Sequence, residues 1–397
     1  MRKHILILTT TNEFLGKFER ENVKILQSMG FAVHYASNMR EPHYISDEAR
    51  IQQMGVQTHH IDIARSPFMV QDNLKALRQL VWLIRTCHIQ VIHCHTPVGG
   101  LLGRLAGLLF RSWKLMVMYT AHGFHFYKGA PLLNTLVYYR VEKWMARFTD
   151  VLIVINEEDY INARRFRLKK GGHVYKIPGT GLDRDVFKPV TKEKRNLCRE
   201  RLGIREDEFF LVSIGELNEN KNHRVVLEAL TKLKQRNQNH FNIRYGICGD
   251  GFFRQRLERW IQEMGLGDCV TLYGYCLKVP EILGAADATL FPSKREGLGM
   301  AGLESLAMGI PVIAADNRGT REYMEHGKNG YVFPCDDVEG FVEGIERIQN
   351  LSAEKKMKMK FHCQNSVKAF DKVYANAVMR RIYSDVDHRL ERRAHEK

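Results

Sequence analysis

Ala288 to Gly309, ATLFPSKREGLGMAGLESLAMG, is the stretch that leaves the chain fewest choices. An apolar, strand-like run, ATLFPS, breaks at Pro292 and passes into a polar loop holding Lys294, Arg295 and Glu296. Gly297, Leu298, Gly299 and Met300 then lead into a helix predicted to reach about Met308. The loop therefore faces a helix N-terminus. In an open α/β sheet this junction lies at the C-terminal end of a strand, where ligands collect and unpaired helical N–H groups favour anionic oxygen. Glu296 stands just before the helix and Glu304 roughly one turn inside it, so two carboxylates aim at one mouth. Carboxylates suit sugar and ribose hydroxyls, while the amides and the Lys/Arg pair suit phosphate, and the combination points to a nucleotide-sugar site. An ordinary amphipathic helix with surface glutamates would not need Gly297, Gly299 and Gly302 beside them.

A chain of 397 residues exceeds what one ordinary core supports, so two domains of nearly equal size are expected. The eight cysteines show no CxxC and no regular spacing, and several lie in apolar strand-like runs, as reduced, buried thiols of a cytosolic protein would. The start, MRKHILILTTTNEF, reads as a first strand rather than a signal peptide, and no apolar segment approaches the roughly 20 residues needed to span a bilayer. The expected location is cytoplasmic. A net charge of +15 asks for an anionic partner. No zinc-finger spacing, RNP-type strand or helix-turn-helix pattern supports nucleic acid, so an anionic membrane surface is the better candidate. Leu101 to Met118, LLGRLAGLLFRSWKLMVM, reads equally as an interfacial helix with Arg104, Arg111 and Lys114 or as a helix buried against the sheet.

Along the first half, His4 to Thr9 forms the first strand, and Gly16 in the following loop is a position where backbone can approach a substrate on the acceptor side. In the strand VIHCH only His93 and His95 share a face, and no metal is expected there. After the strand KLMVMY, the loop YTAHGFHFYKGA interleaves His122, His125 and Lys128 with glycine and aromatic residues at a strand's C-terminal end, which marks His122, and less sharply His125, as functional candidates. In the second half, FFLVSIG ends at Gly215 and is followed by ELNENKNH; IRYGICGDG ends at Gly249, Asp250 and Gly251; CVTLYGYC carries Tyr275. Gly-x-Gly alone is weak, and the full dinucleotide fingerprint is absent.

Glu296, seven residues, Glu304, then MGIPVIA, together with the preceding FPS and the glycine-rich turn, resembles the donor-site signature of the family 4 retaining glycosyltransferases, including those of bacterial capsule and exopolysaccharide synthesis. The resemblance spans nearly the whole chain and is most specific in the second half. It implies an α/β protein of the GT-B class, two Rossmann-like parallel-sheet domains facing a central cleft. The boundaries it suggests are 1–187 for the acceptor-binding domain, 188–368 for the nucleotide-sugar domain, and 369–397 for a helix crossing back to the first domain and ending in a frayed tail. By the same resemblance Glu296 meets the donor sugar, Glu304 the ribose hydroxyls, and Lys221 and Arg295 the diphosphate; His122 lies at the reaction centre, and Tyr275 borders the base. Gly215, Gly249, Gly297, Leu298, Gly299 and Met300 complete the donor site. Two departures stand out: Glu216 occupies the position where the family usually has an arginine, and Asn222 replaces a common glycine. The implied activity is transfer from a UDP-sugar to a lipid-linked saccharide, without an obligatory metal or other cofactor. The alternatives are a GT-B UDP-sugar epimerase, a catalytically silent membrane-associated subunit kept open by Glu216, or, on charge alone, a nucleic-acid binder.

Overall fold

The computed structural model describes residues 3–40, 48–236 and 241–395. The chain divides into two compact units, Met1–Gly181 with Val373–Lys397, and Leu182–Lys372. The divisions thus fall a few residues from the 187/188 and 368/369 boundaries read from the sequence.

In the first unit seven strands, β1 (His4–Thr11), β2 (Ala32–Asn38), β3 (Gln57–His60), β4 (Val91–His95), β5 (Met116–Ala121), β6 (Val151–Val154) and β7 (His173–Lys176), form one parallel sheet ordered β3-β2-β1-β4-β5-β6-β7. The near-continuous apolar runs of β1, β4, β5 and β6 are buried on both faces, as helices covering both sides of a parallel sheet require. Order reverses between β1 and β4, the kind of switch point at which the loops leaving a parallel sheet's C-terminal ends part to form a ligand site.

In the second unit six parallel strands, β8 (Phe209–Ile214), β9 (Ile243–Cys248), β10 (Val270–Gly274), β11 (Ala288–Phe291), β12 (Val312–Ala315) and β13 (Gly330–Phe333), are ordered β10-β9-β8-β11-β12-β13. The order reverses between β8 and β11. The stretch that dominates the sequence, β11 with its loop and the helix Met300–Ala307, therefore borders the switch point of its own sheet.

Of the two readings open for the segment beginning at Leu101, the buried one holds: it belongs mainly to the helix Pro97–Leu109, whose Leu102, Arg104 and Ala106 are buried. Arg104 forks onto Glu142 at 2.5 and 3.1 Å and lies 4.2 Å from the centre of the Tyr119 ring, so this charge closes the core rather than meeting lipid. The tail is more ordered than expected. The last helix, Lys372–His395, is held by Asp150, a buried carboxylate reached by Arg393 at 2.8 Å, Arg389 at 3.3 Å and Lys169 at 3.2 Å. Its partner lies far away in sequence, which hid the anchor; residues 396–397 lie outside the described residues. Among the described residues no helix is long and apolar enough to cross a membrane.

Candidate functional site

Lys221, from the loop after β8, donates from Nζ to Glu296 Oε1, from the loop after β11, at 2.7 Å, so the two meet over the switch point. Lys221 reaches it by lying across Gly215: a Cβ there would stand 2.8 Å from Lys221 Cε. Its Nζ sits 5.3 Å from the centre of the Phe291 ring, a second stabilising contact for the ammonium. Asn222, at φ +52°, adopts the left-handed conformation that Asn tolerates, which explains how it stands in for a glycine. Its side-chain amide donates to the carbonyls of Pro292 and Cys335, while Asn220 donates to the Arg295 carbonyl at 2.8 Å. The two loops are stitched into one rim.

Gly299, at φ +88°, starts the helix Met300–Ala307 with no side-chain cap, so its first amides stay directed at the mouth. A Cβ at Gly299 would stand 2.8 Å from the Phe291 ring, and Tyr323 donates its hydroxyl proton to the Gly299 carbonyl at 3.1 Å. Glu304 is half-buried, and no hydrogen bond or ion pair reaches its carboxylate among the described residues. Loss of water raises its pKa to about 7. Behind Glu296 lies buried Arg318, whose Nε–H donates to the Glu296 carbonyl at 3.3 Å, and Asn317 ties the β12 loop to the Ser293 carbonyl at 2.9 Å. On the β8 side Gly249 donates to the Gly274 carbonyl at 2.7 Å, and any Cβ on Gly249 would overlap the Gly215 carbonyl at 1.8 Å. Main chain therefore lines this edge, next to half-exposed Tyr275.

The first unit gathers a second cluster at the C-terminal ends of β1, β4 and β5. His122 Nε2 lies 3.1 Å from His95 Nδ1, and His95 Nδ1 lies 3.6 Å from Glu19 Oε1. Asn22 donates to Glu19 Oε2 at 2.7 Å. His93 packs beside His95, the two rings tilted by 42° with centres 4.2 Å apart. Both of its nitrogens are engaged, by the Tyr383 hydroxyl at 3.0 Å and Thr120 Oγ1 at 2.8 Å, which makes it a hydrogen-bonded core histidine although Glu19, His93 and His95 bring ligand-type atoms within 4.8 Å of one another. Burial raises Glu19 to about 8 and lowers His122 to about 4, His93 to about 3 and His95 well below its ordinary value. The cluster is neutral at pH 7. His125 instead faces Tyr138, ring centres 5.0 Å apart, between buried Phe124 and Phe126. Gly16 is buried in a helical turn, Leu15–Glu19, that delivers Glu19.

A family profile described as glycosyl transferases group 1 matches residues 194–362, and one described as glycosyl transferase 4-like matches residues 4–156. EpsD of Bacillus subtilis (strain 168), named as a glycosyltransferase, is 40% identical over 348 residues, 88% of each chain. The chain is a family 4 glycosyltransferase. A UDP-Gal:alpha-D-GlcNAc-diphosphoundecaprenol alpha-1,3-galactosyltransferase of Escherichia coli is 27% identical over 72% of this glycosyltransferase and 73% of its own length. For the fold, a sucrose-phosphate synthase of Thermosynechococcus elongatus superposes with TM-score 0.77 at 19% identity, covering 98% of this chain and 100% of its own. Anabaena HepE, solved with UDP and glucose, does so with TM-score 0.76 at 19% identity over 96% and 100%. These are GT-B neighbours, and the two parallel-sheet units have that fold.

Within each unit of this glycosyltransferase the predicted residues fall together: Lys221, Glu296, Glu304 and the 297–300 turn in one, His122 in the other. Sequence reasoning passed over Glu19, Asn220, Arg318 and Tyr323. Arg318 had a usable signal, because it lies in the loop after β12, next to the switch-point strand. Glu19 had none: a glutamate in a helical turn looks solvated until burial among three histidines is known.

Proposed function

We propose that this glycosyltransferase moves a sugar from a UDP-sugar to a lipid-linked saccharide acceptor, with retention at the anomeric carbon, in bacterial exopolysaccharide or capsule synthesis. The observation that carries the reading is the Lys221–Glu296 pair over the switch point with unpartnered Glu304 one turn into the adjoining helix. In this reading Glu304 accepts from the ribose hydroxyls and Glu296 from the sugar, Lys221 and Arg295 meet the diphosphate, and Tyr275 borders the base. Support for UDP comes from the E. coli relative, named for UDP-Gal, and from HepE, solved with UDP and with UDP-glucose. The diphosphoundecaprenol in that relative's name supports a lipid-linked acceptor.

The bond from the anomeric carbon to the UDP oxygen breaks, a bond to the acceptor oxygen forms on the same face, and the acceptor's proton passes to the departing diphosphate. Charge developing on that diphosphate is met by Lys221, Arg295 and the open helix N-terminus, so no divalent metal is required. Glu216 is exposed, and Asn218 donates to it at only 3.4 Å, so it need not be directed at the phosphates.

The enzyme is cytoplasmic and peripheral on the inner membrane face. The surface that suits this lies outside the segment 101–118. Along the helix Leu132–Met145, Leu132, Leu133, Leu136, Val137, Val141 and Trp144 are exposed. Arg140 and Lys143 are exposed beside them, whereas Glu142 is engaged by Arg104.

The test is UDP release from a panel of UDP-sugars with cell membranes as acceptor, in buffer containing chelator. One donor should be consumed, only with membranes, with the chelator harmless and Glu296→Ala reduced at least about a hundredfold. Release that required added magnesium or manganese would overturn the metal-free reading. Turnover with no nucleotide sugar would overturn the whole.

A further inference from the structure

The Glu19–His95–His122 cluster does more than hold His122 in place. His95 Nε2 is buried with no hydrogen-bond partner, while its Nδ1 lies 3.1 Å from His122 Nε2 and 3.6 Å from Glu19 Oε1. A neutral imidazole carries one proton. On Nε2 that proton would be a buried donor with nothing to meet, a defect that folded proteins rarely tolerate. On Nδ1 it is donated to His122 Nε2 and faces a carboxyl oxygen, leaving only a lone pair at the sealed position. His122 Nε2 then accepts, and the proton of its own neutral ring stands on Nδ1. That atom has no partner among the described residues and is not sealed from solvent.

We infer that His95 is a positioning residue that sets the tautomer of His122, so that His122 offers an N–H donor and not a basic nitrogen to the cavity it lines with Glu19, Asn22, Thr120, Thr180 and Asn376. The remaining neighbours leave this arrangement undisturbed. His93 has both nitrogens bonded elsewhere, and Phe14 covers the pair edge-on, its ring centre 5.2 Å from that of His122. Burial keeps all three rings neutral, so tautomer and not charge is the variable. The chemical consequence is that His122 binds an oxygen lone pair on the substrate, a sugar hydroxyl or ring oxygen, and does not take the acceptor's proton. Naming that oxygen as a sugar's rests on the proposed transfer; the tautomer does not.

The deciding experiment is long-range proton–nitrogen NMR on the full chain with 15N-labelled histidine, at pH 7.5 and without substrate, with His122→Asn used to assign the His122 signals. The expected wild-type result is a protonated Nδ1 and a bare Nε2 on His122. His95→Phe, which removes the donor, should shift His122 toward the Nε2–H form and lower kcat roughly tenfold with the donor KM little changed. His95→Asn, whose amide can donate to His122 Nε2, should restore the Nδ1–H form. A wild-type His122 carrying its proton on Nε2, or a tautomer unmoved in His95→Phe, overturns the inference. Once His122 is assigned, the wild-type spectrum decides the tautomer even if a His95 variant does not fold, and because it needs no turnover its failure is distinct from failure of the proposed activity.

Discussion

Glu19 is buried and Glu304 half-buried, and loss of water raises the pKa of both carboxyl groups, to about 8 and about 7. Each folded-state pKa lies above the unfolded value, so each group's contribution to stability is fully present below about pH 4.5 and is lost as pH rises through the folded pKa. Glu19→Gln, which mimics the neutral acid and can still accept from Asn22, should match wild type in melting temperature at pH 5 and exceed it increasingly up to pH 9. A constant difference across that range would count against a buried neutral Glu19. For Glu304 the same shift acts on ligand binding, because accepting two ribose hydroxyls requires the ionised form. UDP affinity measured by calorimetry should rise roughly tenfold from pH 6 to pH 8 in wild type and lose much of that rise in Glu304→Gln.

Glycines at the strand ends decide how closely the β8, β9 and β10 loops can approach. At Gly249 the φ of +153° and the projected 1.8 Å contact with the Gly215 carbonyl leave no room for a methyl group, and the obstacle is backbone that cannot swing aside. Gly249→Ala is therefore expected to cost on the order of 4 kcal/mol or more, seen as a large drop in melting temperature or loss of soluble protein. A variant melting within a few degrees of wild type would contradict that packing. At this scale much was legible from sequence. The glycine-rich turn, the helix after it and the positions of Glu296 and Glu304 follow from local patterns, because a strand's end and a helix's start are written in adjacent residues, while Lys221 came from the family resemblance. What was not legible depends on partners distant in sequence: Arg104 closing on Glu142, Asp150 anchoring the last helix, and Glu19 enclosed by His95 and its neighbours.

For the whole molecule, two domains followed from length and the α/β architecture from the family resemblance, but the exposed apolar helix could not be foreseen, since an apolar helix looks alike whether it covers a sheet or is left in solvent. Burial separates the two cases: Pro97–Leu109 lies against the sheet, while Leu132–Met145 leaves a leucine-rich stripe in solvent. Leu133→Ser with Val137→Ser should reduce co-sedimentation with anionic vesicles several-fold and leave the melting temperature within about 2 °C, because both side chains are at least half exposed. Unchanged vesicle binding would rule that helix out; a concentration-dependent dimer lost in the variant would instead assign the stripe to a second copy of the chain. UDP is proposed to lie against Lys221 and Glu304 in the second unit, and calorimetric titration of UDP into the 397-residue chain tests this most directly. Lys221→Ala and Glu304→Ala should each weaken binding roughly 10- to 100-fold, since each removes charge-assisted hydrogen bonds, while Glu216→Ala should bind as wild type does. Equal affinity in all four proteins would contradict the assignment of the site.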